Sequence, residues 1–299
     1  MSINKKVLII GYGSIGAKHS HILSDIVGKK NIYIFSNNQN HTYSKIESLD
    51  EKLQKYIDYI IISSKTSDHL KHLKLVDNIF FNKKVLIEKP LYKNYVKLNF
   101  KNNKYYVAYN LRYHPGFSDL SKYVEKRKVL NINIQCLTDI NKWKKFSKNN
   151  NYNFLKNLGG GVHLDLSHEI DYLFWRFDKI KKFNFLLKKL SHSTIDSFDL
   201  LNLNGTLSNG GNFHLSLNYF SRIEKREFHV DYGDLSFSLN FIENKLKING
   251  KKINNKIYKY KFKINDTFKL MHLDIIKKNK PIACSLYDAN QILKLFAKK

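Results

Sequence analysis

Three glycines near the start of the sequence have the spacing of a phosphate-binding loop. They form the pattern GxGxxG over residues 11–16, between an apolar run at residues 5–10 and a predicted helix over residues 17–27. In this pattern the first glycine permits a tight turn, the second lets a pyrophosphate approach the backbone, and the third lets helix and strand pack closely. The first N–H groups of the helix would add phosphate ligands. We therefore predict a dinucleotide-binding loop made of Gly11, Tyr12, Gly13, Ser14, Ile15 and Gly16.

The segment after the second predicted strand, residues 31–35, lacks the acid that commonly binds the ribose 2′-hydroxyl of NAD. Ser36 and Asn37 stand there instead, and both can hydrogen-bond to a 2′-hydroxyl or to a 2′-phosphate. Because no carboxylate would repel a 2′-phosphate, the segment slightly favours NADP. The alternative is that NAD binds without that contact.

A lysine follows a predicted buried strand at residues 85–87, within the tripeptide Glu88-Lys89-Pro90. The carboxyl ends of strands in an open α/β sheet face the ligand. Lys89 could therefore hydrogen-bond to a substrate hydroxyl and transfer its proton if its pKa is lowered. The alternative is an ordinary solvated Glu-Lys pair.

A carboxylate and an imidazole lie three residues apart after a run of three glycines at residues 159–161. We predict one helix over residues 162–176, which would place Asp165 and His168 on the same face. A carboxylate beside an imidazole orients it and raises its basicity, which suits a proton acceptor. The alternative is a capping arrangement at the start of a helix.

The elements that must position these residues change character near residue 118. Before it, short apolar strands alternate with helices, which indicates a parallel sheet with helices on both faces. After it, apolar and polar residues alternate as in strands with one wet face, and two helices close the chain. We therefore predict an α/β protein. A Rossmann dinucleotide-binding domain would span residues 1–118, and a second domain with a mostly antiparallel sheet would span residues 119–299.

The composition of this 299-residue chain limits the other possibilities. The formal net charge is +27, but the lysines are scattered, and the chain has only five alanines, as expected from an AT-rich coding sequence. We therefore expect no nucleic-acid partner, although a positive surface would favour an anionic substrate. No apolar run is long enough to span a membrane. The two cysteines have no spacing typical of a disulfide framework or metal site, so we expect no metal and a cytoplasmic location.

Taken in this order, the motifs resemble those of the Gfo/Idh/MocA oxidoreductase family. The resemblance also covers residues 108–115, which are similar to the segment that closes the family's cofactor domain, and residues 63–69, which look like its loop after the third strand. It runs from residue 5 to about residue 176. The last 120 residues or so match only in architecture.

The resemblance implies NAD or NADP as cofactor and hydride transfer to or from a carbinol carbon of a sugar, nucleotide sugar or cyclitol. It implies that residues 119–299 are a substrate-binding and oligomerisation domain with an open sheet, and that a homo-oligomer forms through this C-terminal sheet. Lys89 would be the lysine that typically precedes a cis proline, and Asp165 and His168 the family's catalytic pair. The cofactor would also contact Ser63, Ser64 and Glu88. Candidate residues for binding an anionic or hydroxylated substrate are Asn110, Arg112 and His114.

The sequence departs from the family pattern at the catalytic pair. The pair is usually four residues apart, whereas Asp165 and His168 are three apart and Glu169 occupies the fourth place. The base could therefore be His168 or Glu169, and we prefer His168 because imidazole titrates near neutrality. Residues 165–169 resemble members that act in surface-polysaccharide sugar pathways. The alternative function is a dinucleotide-binding regulator of the same fold that has lost turnover.

Overall fold

The computed structural model describes residues 3–36, 51–97, 99–124, 127–143, 155–192 and 195–297. The chain divides into two compact units. The first contains residues 1–112 and 264–299, and the second contains residues 113–263.

Strands and helices are numbered here along the chain. The strands within the described ranges are β1 (Lys6–Ile10), β2 (Ile32–Phe35), β3 (Ile57–Ile62), β4 (Lys84–Ile87), β5 (Lys104–Val107), β6 (Val129–Asp139), β7 (Ile180–Lys188), β8 (Leu200–Leu207), β9 (Asn212–Asn218), β10 (Phe220–Tyr232), β11 (Leu235–Asn240), β12 (Lys245–Gly250), β13 (Ile253–Lys259) and β14 (Cys284–Ser285). The α-helices are α1 (Ser14–Val27), α2 (Glu51–Tyr56), α3 (His69–Ile79), α4 (Pro115–Val124), α5 (Ile140–Trp143), α6 (Val162–Asp165), α7 (His168–Arg176), α8 (Ile264–Lys277) and α9 (Leu286–Lys294).

The first unit is built on a six-stranded sheet in the order β14-β5-β4-β3-β1-β2. Its strands are parallel, except that β14 pairs antiparallel with β5. The apolar residues of β1, β3 and β4 are almost completely buried, as expected for parallel strands covered on both faces. Because parallel strands end at one edge, the glycine loop, Ser63 and Glu88 all follow strands at the same edge of this sheet.

The structure differs from the predicted division at residue 118. Residues 264–299 belong to the first unit. Helix α8 packs against α1, and β14 joins the sheet through the pairs Cys284–Val107 and Ser285–Tyr106. The sequence pattern correctly predicts helices at this end of the chain, but it carries no signal that they return to the first sheet.

The second unit contains an eight-stranded sheet in the order β13-β12-β11-β10-β6-β9-β8-β7. Of the strand pairs described, only β6 with β9 is parallel, so the predicted mostly antiparallel sheet is confirmed. Buried residues alternate with more exposed ones along β6 and β11, which leaves one face covered. Aromatic rings from α4, α7 and β10 fill that face, and Phe117, Tyr172 and Phe228 have ring centroids 5.5–5.6 Å apart.

The prediction of a single helix over residues 162–176 is wrong. Two short helices, α6 and α7, are separated by Leu166 and Ser167. Leu166 leaves the helical conformation with φ −94° and ψ 29°, and the Ser167 hydroxyl donates a hydrogen bond of 2.8 Å to the carbonyl of Leu164. A serine side chain that bonds to the local backbone competes with the helix in this way. Asp165 therefore ends one helix and His168 begins the next, so the two do not share one helix face.

None of the described helices has the length and apolar character needed to cross a bilayer.

Candidate active site

The glycine loop in the first unit requires glycine at two of its three glycine positions. Gly11 has φ +92°, and a Cβ there would lie 2.6 Å from the Cα and N of Ser64. A Cβ on Gly16 would lie 2.2 Å from the carbonyl oxygen of Gly11. Backbone atoms cannot yield to such contacts, so these two glycines allow the helix, the loop and the next strand to pack against one another.

Gly13 differs from the other two glycines because its Cβ position faces open space. No heavy atom lies within 4 Å of it, and Gly13 is the residue before helix α1. Among the described residues, no side chain caps this helix and its first turn contains no acid. The first N–H groups of a helix need acceptors, and together with the helix dipole they favour an anion. The loop therefore fits the pyrophosphate of a dinucleotide.

The serines after β3 shape this loop. Ser63 donates its N–H to the carbonyl of Ile10 at 2.8 Å, and its hydroxyl donates to the carbonyl of Gly11, also at 2.8 Å. The Ser64 hydroxyl lies 2.8 Å from Nδ1 of His72. The contact of Ser63 and Ser64 with a cofactor stays a prediction. Ser36 follows β2 and is half-buried, whereas Asn37 lies outside the described residues.

The Glu88-Lys89-Pro90 segment follows β4 at the same edge of the sheet. The bond between Lys89 and Pro90 is cis, as the resemblance implies. Lys89 is half-buried, and Glu88 is only 7 % exposed. One oxygen of the Glu88 carboxylate lies 2.8 Å from Nε2 of His19, and the other accepts the N–H of Lys89 at 3.1 Å. Glu88 therefore has partners on both oxygens within the first unit.

The second unit holds Asp165 and His168, both of which are buried. The hydroxyl of Tyr219 donates a hydrogen bond of 3.1 Å to Oδ2 of Asp165. The sequence analysis treated Tyr219 only as a strand residue, because nothing local to it signals a contact with Asp165, 54 residues away. Asp165 is thus fixed by a phenol from a distant part of the chain.

Glu169, the alternative base, is fully buried and paired with Arg226 of β10. The guanidinium donates through Nε to Oε1 at 2.8 Å and through Nη2 to Oε2 at 3.2 Å. Burial alone would lower the pKa of Arg226, but Glu169, together with Cys136 and Tyr172 nearby, raises it above its usual value. Both oxygens of Glu169 therefore accept hydrogen bonds from Arg226, and the choice of His168 as the base stays a prediction.

Two of the three candidate substrate ligands lie in the first unit, where they bind the returning C-terminal segment. The amide of Asn110 donates to the hydroxyl of Thr267 at 2.6 Å, and Arg112 donates to the carbonyl of Ile282 at 3.1 Å. Both side chains are buried. A substrate contact by either residue stays a prediction, and it would be additional to these bonds.

His114, the third candidate, lies in the second unit and is buried among aromatic rings. Its Nδ1 accepts the N–H of Gly116 at 3.0 Å, and its Nε2 lies 3.4 Å from Oδ1 of Asn244. Burial lowers its pKa to about 4. Since both ring nitrogens have partners within this unit, the predicted contact with a substrate would have to replace one of them.

In the part of the chain that the structure describes, no group of three or more histidine, cysteine, aspartate or glutamate side chains is arranged to hold a metal ion.

Comparisons with known proteins give structural matches only. No protein-family model matches the chain, and no curated protein sequence matches it. Among solved structures, levoglucosan dehydrogenase in complex with NADH matches with a TM-score of 0.82 and 17 % identity, covering 99 % of this chain and 96 % of that one. UDP-N-acetylglucosamine 3-dehydrogenase GnnA from Acidithiobacillus ferrooxidans matches with a TM-score of 0.77 and 16 % identity, covering 98 % and 95 %.

An oxidoreductase from Agrobacterium radiobacter, in complex with NAD⁺, L-tartaric acid and magnesium, also matches with a TM-score of 0.77. It is 12 % identical, with 98 % of this chain and 94 % of that chain covered. The matches extend over nearly the whole of each protein, so the predicted α/β fold with a Rossmann-like parallel sheet and a second, mostly antiparallel sheet is confirmed. At these identities the likeness is one of fold.

Proposed function

We propose that this chain is an NAD(P)-dependent oxidoreductase of the Gfo/Idh/MocA type. It would transfer a hydride to or from a carbinol carbon of a sugar, nucleotide sugar or cyclitol. The observation that carries this proposal is the glycine loop, whose open position at Gly13 lies at the uncapped start of α1. Structural neighbours named as NAD-binding or sugar-oxidising enzymes over almost the full chain support it.

Three residues would take part in the transfer of the substrate proton. A bound nicotinamide supplies the hydride acceptor or donor. In the oxidising direction, His168 would accept the hydroxyl proton, and Lys89 would be a hydrogen-bond donor to a substrate hydroxyl. Asp165, which the Tyr219 hydroxyl holds at Oδ2, would orient and stabilise the imidazolium of His168.

Two observations support the proposed substrate class. The neighbours are named for levoglucosan and for UDP-N-acetylglucosamine, both of which carry sugar hydroxyls. Because the net charge of this chain is +27, an anionic substrate such as a nucleotide sugar would be favoured over a neutral sugar. We propose Asn110, Arg112 and His114 as substrate ligands, and a role in surface-polysaccharide sugar metabolism.

The cofactor preference is a separate proposal. Ser36 and Asn37 offer no carboxylate to repel a 2′-phosphate, which favours NADP slightly. Two of the neighbours were solved with NADH or NAD⁺ and none of the three is named for NADP, so this preference depends on the sequence alone. Titration with both reduced cofactors decides it, and tighter binding of NADH would contradict it.

The experiment that tests the function is a turnover screen. Nicotinamide absorbance would be followed with both cofactors against levoglucosan, UDP-N-acetylglucosamine and a panel of cyclitols. Lys89→Ala and His168→Ala should each lower kcat by about 10²–10⁴-fold, the usual contribution of a general acid or base, with little change in cofactor affinity. Lys83→Ala is the matched control, because Lys83 is a surface lysine that bonds to the carbonyl of Lys55. Cofactor binding without turnover of any substrate would instead indicate the regulatory protein.

Two further expectations stay proposals. We propose a homo-oligomer formed through the less buried face of the second sheet, where side chains such as Gln135, Ser236 and Ser238 retain part of their exposure. Light scattering would test it, and a monomer at micromolar concentration would contradict it. We also propose a reducing, cytoplasmic environment, with which the buried thiols of Cys136 and Cys284 are compatible.

A further inference from the structure

A chain of four buried polar side chains crosses the interior of the first unit. Oε1 of Glu88 lies 2.8 Å from Nε2 of His19, and Nδ1 of His19 lies 2.9 Å from Nε2 of His272. Nδ1 of His272 lies 3.0 Å from the hydroxyl of Tyr59. Tyr59 and the two histidines are at most 1 % exposed. The chain thus joins β3, α8 and α1 to the residue that precedes Lys89.

The ends of this chain determine its direction. Glu88 as a carboxylate can only accept, so Nε2 of His19 must donate to it. At the other end, His272 is the one hydrogen-bond partner of the Tyr59 hydroxyl among the described residues. If His272 donated to Tyr59, the phenol hydrogen would be buried without an acceptor, which is costly. Tyr59 therefore donates to His272, His272 to His19, and His19 to Glu88.

This arrangement leaves both imidazoles neutral and every ring nitrogen paired once. Burial, with a smaller contribution from His19, lowers the pKa of His272 well below its usual value, in agreement with a neutral ring. Burial also raises the pKa of Tyr59 well above its usual value, so the phenol keeps its proton. Hydrogen bonds that run in one direction in a dry interior strengthen one another.

The chain ends on the peptide that carries Lys89. The second oxygen of Glu88 accepts the N–H of Lys89 at 3.1 Å, while the N–H of Glu88 donates to the carbonyl of Ile62 at 2.8 Å. The carboxylate is therefore held between the His19 imidazole and the Lys89 backbone. Without His19, one oxygen would be free to turn towards solvent or towards the Lys89 ammonium.

We propose that His19 is a positioning residue for Lys89, which acts by holding the Glu88 carboxylate against the Lys89 N–H. Tyr59 and His272 keep His19 in the tautomer that donates to Glu88. The catalytic part of this inference rests on the proposed function, in which Lys89 handles the substrate proton.

The first arm of the test measures turnover. His19→Leu removes the donor, and kcat should fall by about 10–100-fold with little change in the Kd for NADH, since misplacement of a catalytic group by about 1 Å has effects of that size. His19→Gln retains an N–H near the position of Nε2 and should recover part of the loss. When Lys89 is already replaced by alanine, His19→Leu should lower kcat almost no further, because the effects of residues that act as a unit are not additive.

Two conservative variants distinguish a specific loss of activity from an effect of misfolding. Tyr59→Phe removes only the hydroxyl that fixes the far end of the chain, and should lower kcat by a few-fold. Tyr105→Phe is its control, because Tyr105 is another buried phenol of the same sheet and donates instead to Asp77. Equal effects of the two variants, or a full effect of His19→Leu in the absence of Lys89, would overturn the proposal.

The second arm does not need turnover. Trace acylation with acetic anhydride, read by mass spectrometry at each lysine, reports the reactive fraction of Lys89. When His19→Leu or Tyr59→Phe releases Glu88, the carboxylate can pair with the ammonium, so Lys89 should react several-fold more slowly relative to Lys83. Unchanged reactivity in both variants would overturn the inference even in an inactive protein. Failure of the wild type to bind NADH or NADPH would instead refute the proposed function.

Discussion

Replacing Glu169 with glutamine would leave the guanidinium of Arg226 in the second unit without its counter-charge. The Glu169 side chain is 0 % exposed and that of Arg226 is 26 % exposed. Removing one member of a buried ion pair typically costs about 3–5 kcal/mol. Because water reaches a quarter of Arg226, we expect the lower end of that range, about 3 kcal/mol in the free energy of unfolding.

Tryptophan fluorescence during urea and thermal unfolding measures this effect. Both tryptophans of the chain, Trp143 and Trp175, belong to the second unit, so the signal reports the unit that contains the pair. For a unit of this size a loss of about 3 kcal/mol corresponds to a fall in Tm of about 6–12 °C. Glu169→Gln combined with Arg226→Met should recover much of the loss, because the buried charge is then removed as well.

Asp234→Asn provides the control for a surface pair. Asp234 pairs with Arg127 where both side chains are substantially exposed, and such pairs contribute little to stability. A change in Tm for Glu169→Gln as small as that of the control would refute the argument from burial. Below its Tm, Glu169→Gln should retain turnover. An inactive but folded variant would make Glu169 the base and His168 the wrong assignment.

Three further predictions concern other parts of the molecule. Gly13→Val should weaken NADH binding in titrations by at least about tenfold, or 1.4 kcal/mol, whereas Gly233→Val, at a second glycine whose Cβ position is open, should leave it unchanged. The pKa of His114 is about 4 in the folded protein, below its unfolded value of 6.5. Its contribution to the free energy of unfolding is therefore fully present above pH 6.5 and is lost as the pH falls towards 4. In urea unfolding His114 should account for about 2 kcal/mol of the stability lost between pH 7 and pH 5, so His114→Gln should lose less than the wild type, and an equal loss in that variant would exclude a contribution from His114. Asp199→Asn should lower the free energy of unfolding by about 2 kcal/mol in the same assay, since the buried carboxylate accepts the N–H groups of Leu190 and Ser191, and a cost near zero would contradict this.

The local pattern of the sequence was sufficient to predict most of the parallel sheet. The apolar run predicted as a strand over residues 5–10 is the strand Lys6–Ile10, and the predicted helix after the glycines differs only in beginning earlier, at Ser14. Apolar runs bounded by glycine carry this information because burial and chain reversal are local requirements. The break at Leu166 and Ser167 was missed because helical spacing continues through it.

Contacts between distant residues could not be predicted in the same way. His19 and Glu88 are 69 residues apart, and Glu169 and Arg226 are 57 residues apart. The residues around a single histidine in a helix, or around an arginine in a strand, form no local pattern that identifies its distant partner. The return of residues 264–299 to the first sheet is a contact of the same kind, and it is this return that brings His272 to His19.

These distant contacts have a common consequence for the two proposed proton-handling residues. Each has a carboxylate as its immediate neighbour in sequence, Glu88 before Lys89 and Glu169 after His168. The imidazole of His19 and the backbone of Lys89 hold the first carboxylate, and the guanidinium of Arg226 holds the second. A carboxylate that accepts hydrogen bonds on both oxygens is held in one orientation. These contacts give both acids a structural role, and the proton chemistry that we propose for the amine of Lys89 and the imidazole of His168 is what Lys89→Ala and His168→Ala would test.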